Sequence, residues 1–194
     1  MLTKSILAAG AALAIALPAQ AITVISVANL SGDQEVPPVE TQAFGSATFT
    51  VDTDTQLLDF SLEVNGITIE QLFDNLVAAP VGPIHLHNAP AGANGPIVIP
   101  FPFDTGYEAT DTGFRLTRED YLFDDALAIS GADVGFSDFV SALRDGLYYI
   151  NVHSDQFGSG ELRGQLAVTV PEPGAIGLLG LGLLGLGALR RRTR

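Results

Sequence analysis

Chemistry in this chain centres on its histidines, because 194 residues contain only three and no cysteine. Two of them form a His-x-His triplet inside the alternating run Ile84-His85-Leu86-His87. In a strand, side chains two apart share a face, with Cα atoms about 6.6 Å from each other. Ile84 and Leu86 then take the opposite, core-facing side. The third histidine closes the run Tyr149-Ile150-Asn151-Val152-His153. There Ile150 and Val152 look inward, so Tyr149, Asn151 and His153 share the other face. If the two strands are neighbours, all three imidazoles converge. Three imidazoles can hold a Zn²⁺ or copper ion and leave one position open for water or a substrate. Neutral imidazole is the ligand, so affinity is expected to fall as pH drops through about 6.5. The same side chains can instead hydrogen-bond backbone and carboxylates around the loop at 88–95. The sequence leaves both roles open.

Other arrangements offer less. Asp52 and Asp54 alternate at a hairpin turn and could hold Ca²⁺, although a solvated turn explains them equally well. Glu119-Asp120 and Asp124-Asp125 supply carboxylates of the kind glycosidases use, but acids this abundant form pairs by chance. Ser154 beside His153 is no catalytic pair, since adjacent strand residues face opposite sides. Arg163 stands between Glu161 and Gln165, where an internal ion pair is expected. Gly92, Gly95 and Pro96 make a surface loop with no helix behind them to cradle a phosphate. No residue is assigned a catalytic role, and the chain is expected to be non-enzymatic.

The elements that must position the histidines read mostly as strands. Thr23 to Leu30, Ala43 to Asp52 and Leu57 to Val64 alternate with period two, and Asp52-Thr53-Asp54-Thr55 turns the second run into the third. Ile97 to Phe103 is a further strand whose Pro100 and Pro102 argue for an edge position. Gly146 to His153 and Glu161 to Val170 close the domain. Helical spacing appears in Ile69 to Ala78, and again around Phe136, Phe139, Val140 and Leu143, with Ser137 as cap and Gly146 as stop. Asp120 to Ala128 is either a turn of helix or an apolar loop. Many short strands without a βαβ rhythm predict a single antiparallel β-sandwich with small helical insertions.

Both ends stand apart from this fold. Lys4, the apolar Ile6 to Leu17, Pro18 and the small-x-small Ala19-Gln20-Ala21 predict a signal peptide over 1–21, cut by signal peptidase after Ala21. At the other end, Val170-Pro171-Glu172-Pro173 precedes an uncharged apolar run of 16 residues, Gly174 to Leu189. As a helix it measures about 24 Å against a hydrocarbon core of about 30 Å. Arg190, Arg191, Arg192 and Arg194 would stay on the cytoplasmic side and leave the upstream chain outside. The domain therefore runs over 22–169 and the tail over 170–194. Between Ile22 and Pro173 four arginines face 22 acidic residues, a formal charge of −18. That field repels nucleic acid, which is excluded as a partner, and attracts cations.

Two resemblances follow from these residues. The Pro171-Glu172-Pro173 motif, the apolar run and the arginine cluster resemble the PEP-CTERM sorting signal of Gram-negative envelope proteins. That resemblance implies an exosortase as processing partner and transient anchoring in the inner membrane. It also implies delivery to the outer envelope or beyond, with a link to exopolysaccharide or biofilm. Within the domain, Leu30-Ser31-Gly32-Asp33-Gln34-Glu35-Val36-Pro37-Pro38, Gly45-Ser46-Ala47-Thr48-Phe49, His85-Leu86-His87 with Ala91 to Pro96, Tyr149 to His153 and Gly160 to Leu166 resemble the CHRD domain. This implies an immunoglobulin-like sandwich and an extracellular role, and it carries no catalytic residues. The segment at 105–133 follows no part of that pattern. Two function classes remain: a non-enzymatic envelope or matrix module that binds or packs, and a Cu/Zn protein using the three histidines.

Overall fold

The computed structural model describes residues 23–169. The signal peptide with Ala19 and Ala21, the Pro171-Glu172-Pro173 motif, the expected C-terminal hydrophobic helix and Arg190 to Arg194 lie outside the described residues. Among the described residues no helix is long and apolar enough to cross a membrane.

Alternation becomes burial in the first three strands. β1 (Thr23–Ser31), β2 (Phe44–Asp52) and β3 (Leu57–Asn65) form an antiparallel meander. Val24, Ala28 and Leu30, then Ala47, Phe49 and Val51, then Leu58, Phe60, Leu62 and Val64 point into the core. Asp52 makes the hairpin turn, its Oδ1 accepting the backbone N–H groups of Asp54 and Thr55 at 2.9 Å each. That is ordinary Asx-turn chemistry.

Seven more strands complete one sheet: β4 (Ile84–Asn88), β5 (Ile97–Phe101), β6 (Tyr107–Ala109), β7 (Gly113–Leu122), β8 (Tyr148–Val152), β9 (Leu162–Gln165) and β10 (Ala167–Thr169). The order is β5-β4-β8-β9-β1-β2-β3-β7-β6, with β10 paired to β1, and every pairing is antiparallel. β5 is an edge strand, as its prolines predict. The sheet curls until its halves face each other, so Phe60 of β3 stacks on Phe101 of β5 with centroids 4.1 Å apart. The all-β, sandwich-like class expected from the sequence is the class found. Helix α1 (Asp74–Val77) is a single turn, whereas α2 (Phe123–Ser130) and α3 (Phe136–Arg144) pack on the core. Phe139 of α3 lies 6.2 Å from Phe49 and 4.9 Å from both Phe123 and Tyr148, centroid to centroid. Each phenylalanine buried this way contributes about 2–3 kcal/mol.

Some local expectations fail for tertiary reasons. Ile69 to Ala78 is not one helix: a 3₁₀ turn at Ile69–Gln71 and α1 are separated where Leu72 bridges to Ser154 of the opposite chain segment. Ser137 does not cap α3, which begins after Gly135 and makes no side-chain cap, although Gly146 at φ +69° does end the segment. The final run splits into β9 and β10, because the Leu166 N–H turns to the Tyr148 carbonyl. The segment at 105–133 holds β6, β7 and all of α2.

Candidate metal centre

β4 and β8 are neighbours, and their register sets the site. His85 lies opposite Asn151 and His87 opposite Tyr149, while Ile84 and Leu86 face Val152 and Ile150 on the core side. His153 follows the end of β8 and reaches diagonally toward His85. One nitrogen from each of the three histidines falls in a group whose members all lie within 4.8 Å of one another. The face carrying them is largely closed to solvent: the loops at 78–83, 89–96 and 154–160 roof it through Gly82, Gly95 and Gly158, leaving His85 1% and His153 7% exposed and His87 half-buried.

The ring nitrogens are assigned by their partners. His85 Nε2–H donates to the Gly82 carbonyl at 2.7 Å, His87 Nδ1–H to the Gly95 carbonyl at 2.9 Å, and His153 Nδ1–H to the Gly158 carbonyl at 3.0 Å. A carbonyl has no proton to give, so each of those nitrogens must carry one. The other nitrogen of each neutral ring is then a bare lone pair. His85 Nδ1 and His153 Nε2 face each other at 3.2 Å, and His87 Nε2 is buried without a hydrogen-bond partner. Buried acceptors left in this way cost about 1–3 kcal/mol each. A cation among them removes the cost. Four ligands at about 2.0–2.1 Å around zinc lie about 3.3 Å apart, close to the 3.2 Å already present. His87 needs to close by no more than about 1.5 Å to join them.

Burial keeps these imidazoles neutral. Desolvation, with help from the two neighbouring rings, pushes His85 down to about 3. Desolvation outweighs the Gly158 carbonyl and holds His153 at about 4. His87 is lowered by burial first and, more weakly, by the Arg163 charge. Proton competition for a folded site therefore sets in well below the 6.5 expected from exposed histidine.

All three carbonyl partners belong to glycines, and at two of them the backbone approaches too closely for anything larger. A Cβ on Gly82, where φ is +72°, would lie 2.1 Å from the Phe101 carbonyl oxygen, and one on Gly95 would lie 1.9 Å from that of Asn88. Chains of this kind, in which a ligand's second nitrogen donates to a fixed oxygen, orient metal-binding histidines. Sequence reasoning missed Gly82 and Gly158; a glycine three residues before His85 and another five after His153 was the available signal.

Arg163 was missed in another sense. The expected ion pair is absent, and among the described residues the ion pairs are Arg115–Glu108 and Arg118–Asp104. Arg163 instead lays its guanidinium 3.4 Å from the Tyr149 ring centroid, and Tyr149 stacks in turn on His87 at 4.9 Å. Its Nη1 and Nη2 donate to Asn94 Oδ1 and to the carbonyls of Pro90 and Ala93, pinning the loop that carries Gly95. Desolvation raises the buried carboxyl of Glu35, which accepts from Asn151 Nδ2. Glu119, Asp120, Asp124 and Asp125 stay exposed, and Ser154 Oγ accepts from the Phe157 N–H.

A family model of the CHRD domain matches residues 26–166, which contain the three histidines, Arg163 and the loops that roof them. The chain belongs to the CHRD domain family. A second match, to the PEP-CTERM protein-sorting motif, covers residues 169–192 and marks an exported chain that an exosortase processes. No curated protein matches the chain, and no solved structure does.

Proposed function

We propose that this CHRD protein is a non-enzymatic binding module of the cell envelope that holds one copper or zinc ion at His85, His87 and His153. The observation that carries the reading is the tautomer pattern. A glycine carbonyl takes one N–H of each ring and leaves one bare nitrogen on each, those of His85 and His153 facing each other at 3.2 Å and one nitrogen of all three rings lying within 4.8 Å of the others. The enclosure of the rings supports binding over turnover, because a closed site admits an ion more readily than a substrate. A formal charge of −18 between residues 22 and 173, from four arginines and 22 acids, concentrates cations at the surface. The route outward runs through signal peptidase at Ala21, a stay in the inner membrane through the tail, and an exosortase at Pro171-Glu172-Pro173. Packing against polysaccharide or other matrix partners in the outer envelope is the part of this reading supported by the sorting motif alone.

Titration calorimetry on chelator-treated protein at moderate salt tests it. One equivalent of ion should bind, replacing any one histidine by alanine should remove most of the affinity, and Asp33→Asn should change little. Equal binding by the parent and the triple-histidine variant would show that the imidazoles serve the fold alone.

A further inference from the structure

We infer that the ion this site selects is monovalent copper, Cu(I), in preference to Zn²⁺; the inference rests on the metal-binding reading above. All three donors are neutral imidazoles, and no carboxylate belongs to the ligand group. The charged side chain stacked behind the site is of the wrong sign for a dication. Arg163, 1% exposed, stacks on Tyr149, which stacks on His87, so a guanidinium stands behind one of the ligands. Among the described residues it makes no ion pair; Glu35, the carboxylate within its electrostatic reach, hydrogen-bonds Asn151 instead.

The cost of burying an ion grows with the square of its charge, so a dication carries about four times the desolvation cost of a monocation of equal size. Zinc meets that cost with anionic ligands, or with a bound water in a fourth position that needs space. Here the anionic ligands are missing and the rings are roofed. Cu(I) has a filled d shell and single charge, and it is content with three neutral nitrogen donors in a trigonal arrangement. His85 Nδ1 and His153 Nε2 already oppose each other at 3.2 Å, and His87 Nε2 is the buried third donor. Sodium and potassium, the common monocations, take oxygen ligands and have none in this group.

The test is an anaerobic competition on the full-length protein. Cu(I) is presented in a chromogenic Cu(I) chelator, Zn²⁺ in a zinc-specific chelator, and each affinity is read from the colour lost. One equivalent of Cu(I) should bind at least a thousandfold more tightly than Zn²⁺, and equimolar Zn²⁺ should not displace it. Arg163→Gln should narrow the gap about tenfold, chiefly by strengthening Zn²⁺. Tighter or equal Zn²⁺ binding at the same histidines overturns the Cu(I) assignment and leaves the metal site standing. Failure of both ions to bind overturns the metal site itself. Should Arg163→Gln not fold, the comparison on the parent protein still decides.

Discussion

Acid should unfold the metal-free protein in a window set by its buried histidines. In the unfolded chain each imidazole takes a proton near 6.5, whereas burial holds His85 at about 3 and His153 at about 4 in the fold. A folded value below the unfolded one means that the unfolded state binds the proton first. Stability is then present above 6.5 and lost as pH falls, until the folded values are reached. Each group loses about 1.4 kcal/mol per pH unit in that range. At pH 5 the two together have cost about 4 kcal/mol, a large share of the 5–15 kcal/mol typical of a domain. His87 is lowered too and adds to the loss. Glu35 has the opposite sign: its raised carboxyl favours the fold at low pH and trims the total. The lowered carboxyls of Asp52 and Glu70 act only below about 4.5, outside the range between pH 7 and 5. Urea unfolding with a chelator present, at pH 7, 6 and 5, measures the effect. Saturating metal should move the loss to lower pH, because an ion binding only the fold adds RT ln(1 + [L]/Kd). A change below about 1 kcal/mol between pH 7 and 5 in the metal-free protein would refute the argument.

Two further outcomes concern the roof and the tail. Gly160→Ala places a Cβ 2.6 Å from both Asn151 Nδ2 and Glu35 Oε1 at φ +131°. It should cost about 2 kcal/mol more than Gly131→Ala, which shares a positive φ but has nothing within 4 Å; equal urea midpoints would count against the packing described. Replacing Pro171, Glu172 and Pro173 by alanine should leave unprocessed protein in the inner membrane, as cell fractionation with intact mass would show, and unchanged processing would remove the role given to the motif.

The meander was legible because one face of β1, β2 and β3 meets the core and the other meets water, which writes period two into the residues. The histidine strands were harder. Tyr148 to Val152 is buried on both faces, so its sequence does not alternate in polarity. That His85 and His153 meet depends on β4 and β8 pairing, and 68 positions separate them. The sequence could say which face each imidazole takes but not that the faces coincide. Helix expectations at 69–78 failed where a long-range bridge at Leu72 outweighed local spacing. The glycine carbonyls and the stacked Arg163 were beyond local patterns, since both depend on loops brought over the sheet by the fold.

Imidazole nitrogen NMR tests the central claim most directly. In the metal-free protein at pH 7, His85 should carry its proton on Nε2 and both His87 and His153 on Nδ1. Stepwise addition of Cu(I) under anaerobic conditions, or of Zn²⁺, should then shift the three bare nitrogens together. The shift should saturate at one equivalent, with the three N–H signals retained. Different tautomers, or bare nitrogens that do not respond to either ion, would contradict the account.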